Sequence, residues 1–297
     1  MGGNKKVYES SDGMNAQSLE AILRHPRSFL TNRFVYAVIS QRAGGLSIGI
    51  NMNPDQACNF DCVYCEVKRT GTHQGERVDI EVMSKELKNL LALLQLGKFH
   101  QLNGFTEIPK ELLILKMVAL SGDGEPTLCP NFFEIIQEVV RIRQNRQFPL
   151  FKMVLITNAT GLHLPSVQKG LGLFTESDEI WAKLDVGTQA YMEKINCAHL
   201  PLEKVLANIL LVGRQRPIII QSLFCSLDGK EPSDPEIEAY VQRLLELKNK
   251  GVKIILIQIY SVVREPAHKD CLPLPLARLS YIARCVRKIT GLRTEVY

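Results

Sequence analysis

Three cysteines stand within eight residues, in Cys58-Asn59-Phe60-Asp61-Cys62-Val63-Tyr64-Cys65, at a C-x3-C-x2-C spacing directly after a strand-like run over 46–52. Soft thiolates take both iron and zinc, but the two ask for different ligand sets. A [4Fe–4S] cluster usually takes four cysteines, so three leave one iron open to a small molecule. A structural zinc site wants four closed ligands, usually as two separated pairs; His73, eight residues on, is the residue that would complete one. Three buried cysteines acting as small hydrophobes are the plainest alternative. Their neighbours Asn, Asp and Tyr are not the apolar company such cysteines keep.

Polar residues that can bind or catalyse also gather where other strands end. The run 112–120 is continuously apolar, as in a sheet covered on both faces, and leads into Ser121-Gly122-Asp123-Gly124-Glu125-Pro126-Thr127. A lone G-x-G is usually just a tight turn. Asn158 closes the strand over 151–156, where a short amide serves either a ligand or a turn. Trp181, Lys183 and Asp185 alternate along the strand over 179–186 and so share one face. If that face is the inner one, Lys183 and Asp185 need partners, supplied by each other or by a bound molecule. Gln221 and Ser222 in the strand over 217–226, and Gln258 in that over 252–260, are polar within apolar runs; Gln221 shares a face with Ile219 and Leu223.

The elements that must carry these residues alternate regularly. A short helix over 15–24 comes first. A Gly-containing turn over 42–45 then feeds the first strand. Amphipathic or capped helices are expected over 78–96, 131–145, 165–173, 202–214, 234–249 and 276–290, with Asn131 as an N-cap and Pro235 in a first turn. Residues 261–275 read as a loop. Six strands alternating with helices imply α/β architecture with a parallel sheet and crossover helices. Such folds bind ligands at the carboxyl ends of their strands, where the polar residues lie. The division expected is an N-terminal extension over 1–45 and one core domain over 46–297.

Composition fits a globular chain of 297 residues, with 45% apolar and 23% charged residues. A net charge of +5 from scattered residues permits an RNA partner without arguing for one. No secretory leader or membrane-spanning run is expected, so cytoplasmic localisation and no membrane partner follow. In a reducing compartment clustered cysteines read as metal ligands rather than disulfides. The other five (Cys129, Cys197, Cys225, Cys271 and Cys285) show no pair spacing that would mark a second cluster.

The C-x3-C-x2-C spacing with Tyr64 before its last cysteine resembles the signature of the radical S-adenosylmethionine (SAM) superfamily, and Gly122-Asp-Gly-Glu-Pro126 resembles its Gly-rich stretch. That resemblance implies a partial (β/α)6 barrel; an open doubly wound sheet is the other arrangement of the same elements. It implies a [4Fe–4S] cluster on Cys58, Cys62 and Cys65, with SAM chelating the open iron and cleaved to a 5'-deoxyadenosyl radical that abstracts hydrogen from a substrate. It implies SAM contacts from Tyr64, Gly122, Asp123, Gly124, Glu125, Asn158, Lys183 and Gln221. Lys183 and Asp185 are the candidate catalytic pair, and a flavodoxin or ferredoxin is the implied electron donor. The stretches Trp181-Ala-Lys-Leu-Asp-Val-Gly-Thr188 and 121–128 are similar to the wyosine-base-synthesis branch, which modifies a guanosine in tRNA. This chain departs from that branch in having no cysteine before Cys58. A radical SAM enzyme acting on a protein or small metabolite, in the manner of an activase, shares the same motifs. A non-enzymatic Fe–S or zinc protein would bind metal without SAM.

Overall fold

The computed structural model describes residues 27–69 and 75–297. Strands β1 (Val35–Ser40), β2 (Gly45–Asn51), β3 (Leu115–Ser121), β4 (Met153–Thr157), β5 (Glu179–Lys183) and β6 (Ile218–Leu223) lie side by side in chain order. The sheet is completed by β8 (Ile254–Tyr260) and β10 (Thr294–Val296), giving eight strands. Only β1 runs antiparallel, as a hairpin with β2; every other pairing is parallel. A separate two-stranded ribbon joins β7 (Cys225–Leu227) to β9 (Cys271–Pro273).

The helices are α1 (Ile80–Gln95), α2 (Phe132–Gln144), α3 (Pro165–Leu171), α4 (Gln189–Ile195), α5 (Leu202–Gln215), α6 (Asp234–Asn249) and α7 (Leu276–Thr290). They cover the outer face of the sheet, and their apolar stripes form one large core with alternate strand residues such as Ile48, Val118, Leu155, Ile180 and Ile220. The opposite strand residues, Met117, Ala119, Val154, Trp181 and Ile219, form a second, smaller core on the inner face. Two apolar cores back to back on one parallel sheet explain why its strands read as unbroken apolar runs. Among the described residues no helix is long and apolar enough to cross a membrane.

All six expected strands are present, in a partial (β/α) barrel, and the sheet is longer than they are. Val35–Ser40 adds a strand inside the stretch assigned to an extension, so the sheet starts at Val35 rather than near 46. The three residues of β10 extend the other edge. The stretch over 217–226 divides into β6 and β7, and the loop over 261–275 contains β9. Asn131 stands at the N-cap position of α2 but does not cap it with its side chain. Its amide instead brackets residue 78, accepting from the Val78 N–H at 3.1 Å and donating to the Val78 carbonyl at 2.8 Å. The helix expected over 15–24, and His73, lie outside the described residues.

Candidate functional site

The cysteine loop leaves β2 and is held from three sides. Met52 N–H donates to the Ser121 carbonyl and Glu125 N–H to the Ala57 carbonyl, tying the loop to the turn after β3. Asp61 and Val63 N–H groups donate to the carbonyls of Asn196 and Ile195 at the end of α4, and Ala267 N–H to that of Cys65. The close approach of the first two stretches accounts for the glycines. A Cβ on Gly124 would overlap the Ala57 carbonyl, and one on Gly122 would meet the Asn53 side chain. Gly124 leaves room for a neighbouring backbone, and Gly122 for the Asn53 side chain.

Glu125 is buried, and all its polar partners are protein groups. Its Oε1 accepts from Thr127 N–H at 3.1 Å, Thr127 Oγ1 at 2.6 Å and the Thr157 hydroxyl; its Oε2 accepts from Asn158 N–H at 2.7 Å. Burial raises its pKa against the pull of these donors. Glu125 therefore splices the loop after β3 to the end of β4. Asp123 is likewise engaged, by Arg27 Nη1 at 2.8 Å and Asn51 Nδ2 at 2.8 Å.

Each of the three cysteine sulfurs faces an N–H donor. Cys58 Sγ lies 3.5 Å from Phe60 N and 3.9 Å from Asn158 Nδ2. Cys62 Sγ lies 3.4 Å from Asn196 Nδ2, and Cys65 Sγ 3.9 Å from Arg69 Nη2. Burial pushes the thiol of Cys58 up to about 11 and that of Cys62 up to about 12, so a metal must displace their protons as it binds. Among the described residues no three His, Cys, Asp or Glu side chains converge on a point that one ion would occupy. N–H donors at sulfur are what an iron–sulfur cluster uses to set its potential, and each of the three sulfurs has one here.

Beside Cys62 lies a polar cluster. Asp185 Oδ2 accepts from the Tyr64 hydroxyl and, at 3.1 Å, from Asn196 Nδ2; its Oδ1 accepts from Leu223 N–H at 2.8 Å. Lys183 Nζ is 3.6 Å from Asp185 Oδ1 and donates to Tyr260 Oη at 3.1 Å, with the Tyr64 ring 4.7 Å away. Burial opposes the charge on Lys183, yet Asp185 and Tyr260 hold its pKa above the ordinary lysine value. Lys183 thus has a carboxylate partner within the protein. Gln221 is fully buried; its Nε2 donates to Gln258 at 2.8 Å while its Oε1 has no partner.

The structure brings Tyr64, Lys183 and Asp185 together with Cys62. Asn158 lies beside Cys58, and the turn over 122–125 packs against the loop that leads to Cys58. Three participants escaped the sequence reading as site residues: Asn196, which joins Cys62, Tyr64 and Asp185; Tyr260, the last residue of β8; and Arg69, which faces Cys65. No periodicity singles out an asparagine 134 residues from its sulfur. Cys225 and Cys271, which show no short-range pair spacing in the sequence, come near each other in the fold. The β7–β9 register sets them diagonally across two strands, and contact with Cys271, with burial, raises the pKa of Cys225.

A cavity of about 200 Å³ opens beside this cluster. Its lining includes Met117, Ala119, Ile156 and Trp181 of the inner core, together with Tyr64 and Leu223. Its mouth touches both edges of the sheet, with Val38 and Ser40 of β1 on one side and Tyr297, just after β10, on the other.

No family model matches the chain. A curated relative described as a UPF0026 protein of Helicobacter pylori is 27% identical over 180 residues, covering 59% of this chain and 50% of the relative. The chain spans about half the length of the first such relatives it matches. Among solved structures, one described as "Structure of TYW1 with a lysine-pyruvate adduct bound" superposes with a TM-score of 0.60 at 15% identity, over 91% of this chain and 87% of the other. Streptococcus suis SuiB, solved bound to S-adenosylmethionine, gives 0.57 at 12% identity, over 86% and 52%. At such identities the likeness establishes the fold: a partial (β/α) barrel of the kind radical SAM enzymes have.

Proposed function

We propose that the chain is a radical SAM enzyme that binds one [4Fe–4S] cluster on Cys58, Cys62 and Cys65 and SAM at its open iron. The observation that carries this reading is the loop itself: three cysteines at one end of a partial barrel, each sulfur met by an N–H donor, beside a cavity that reaches Tyr64. When bound, the cluster and SAM together supply a 5'-deoxyadenosyl radical for hydrogen abstraction.

The chain's own residues position and shield that chemistry. Asn158, Asn196 and Arg69 direct N–H groups at the sulfurs and stabilise their negative charge. Asp185 fixes Tyr64 against the cluster loop, and Lys183 places a positive charge between Tyr64 and Tyr260 for the anionic end of SAM. The turn over 122–125 supports the cysteine loop through Gly124 and Glu125 and offers its backbone to the methionine end of SAM. An external one-electron donor, such as flavodoxin or ferredoxin, completes the reaction. A tRNA base is the substrate named by the likeness of 121–128 and 181–188 to the wyosine-synthesising branch.

Anaerobic reconstitution tests the reading. It should give about four irons with matching sulfide per chain, and reduction in the presence of SAM should release 5'-deoxyadenosine, measured by chromatography. Stoichiometric zinc with no cluster would sink the proposal, as would a cluster that never cleaves SAM.

A further inference from the structure

The cavity between the two sheet edges carries a charge that the protein itself leaves uncompensated. Arg27, Arg42, Glu66 and Arg264 are its ionic lining residues. Arg27 pairs with Asp123 at 2.8 Å, and Arg264 with Glu66 at 3.2 Å. Arg42, in the turn between β1 and β2, has no carboxylate partner among the described residues. Its guanidinium lies 4.3 Å from the centre of the Tyr260 ring, and the Tyr260 hydroxyl takes the hydrogen bond from Lys183. A stacked guanidinium is held in place while its N–H fork remains free for a planar or tetrahedral oxyanion. Behind it the floor is apolar and aromatic, with Met117, Ile156 and Trp181.

We infer that this cavity binds an organic anion: a carboxylate or phosphate caught by Arg42, on an apolar or aromatic body lying over Trp181. Taking that anion as the enzyme's substrate rests on the radical SAM reading; the binding itself does not. The orientation follows from the lining. The anionic end sits beside Arg42 and Tyr260, and the body lies over Trp181 in the cavity that Tyr64 also lines.

Trp181 is the only tryptophan of the chain and lines the cavity, so its fluorescence reports occupancy. The full chain, purified anaerobically, is titrated at constant ionic strength with two probe pairs: adenosine 5'-monophosphate against adenosine, and 3-phenylpropionate against 3-phenylpropanol. The charged member of at least one pair should bind about tenfold or more tightly than its neutral partner. Discrimination only in the first pair assigns a phosphate, and only in the second a carboxylate. Arg42→Gln should abolish the discrimination, and Arg42→Lys, which keeps the charge without the fork, should restore part of it. Equal affinity within both pairs, absence of binding, or discrimination that survives in Arg42→Gln overturns the inference. Protein that discriminates but makes no 5'-deoxyadenosine fails the enzyme reading alone. Protein that cleaves SAM but binds charged and neutral probes alike fails this inference alone.

Discussion

The two walls of the cavity end of the barrel are built on different principles. On one wall, the turn after β3 and the end of β4 meet at Glu125, whose four donors come from Thr127, Thr157 and Asn158. On the other, Arg42 rests on Tyr260 with no carboxylate partner among the described residues. A buried polar group with all its partners in the protein rigidifies a scaffold. One left over at a cavity is available to a ligand. Glu125 thus ties two loops together through four protein donors, whereas Arg42 lines the cavity with no carboxylate partner among the described residues.

The largest effect expected from breaking this contrast is at Glu125. Glu125→Ala strands four buried donors and should cost about 3–5 kcal/mol, the scale of a broken buried charged network. Urea unfolding would measure it, and iron uptake should fall in parallel because the cysteine loop rests on this turn. Full stability in this variant would mean that the carboxylate faces a ligand.

Lys183→Met comes next. It leaves Asp185 with its hydrogen bonds but without its cation, and Lys183 retains some exposure, 18% of its side chain. A loss of about 1–3 kcal/mol is expected. The sign with pH is fixed by the raised pKa of Lys183. Its contribution is complete below the ordinary lysine value near 10.4 and fades as pH climbs through the folded value. The difference between wild type and Lys183→Met in thermal melts should therefore shrink at strongly alkaline pH. A gap that widened there would contradict the pairing.

The smallest effect should be at Arg42. Arg42→Gln gives up one stacking contact and should lower stability by only about 0.5–1 kcal/mol. A loss several times larger, read by the same unfolding titration, would move Arg42 into the scaffold.

Sequence reasoning succeeded where a pattern repeats and faltered where chemistry is assembled from distant parts. The apolar strands followed by polar turns are periodic and bounded, so all six parallel strands could be placed, and α6 and α7 matched residue for residue. Val35–Ser40 has strand composition too, but the turn after it drew attention to β2 alone. Thr294–Val296 is too short for any period to show. At the site, the cysteine spacing and the shared face of Trp181 and Lys183 were visible because they are local. That Lys183 pairs with Asp185, that Asn196 reaches Cys62, and that Arg42 lies over Tyr260 depend on contacts spanning from two to 218 positions. Gly122 and Gly124 show the converse: the residue type was legible, but its cause, the nearness of Asn53 and Ala57, was not.

From β1 through β6, strand order in the sheet is strand order in the chain. A nascent polypeptide can therefore add each strand to the one made just before it. The cysteine loop emerges between the second and third strands, whereas Asn196, which covers Cys62, is made 134 residues later. During synthesis the three thiols thus exist for a long interval before the groups that enclose them, and the cysteine loop stays open while the barrel around it is still being made.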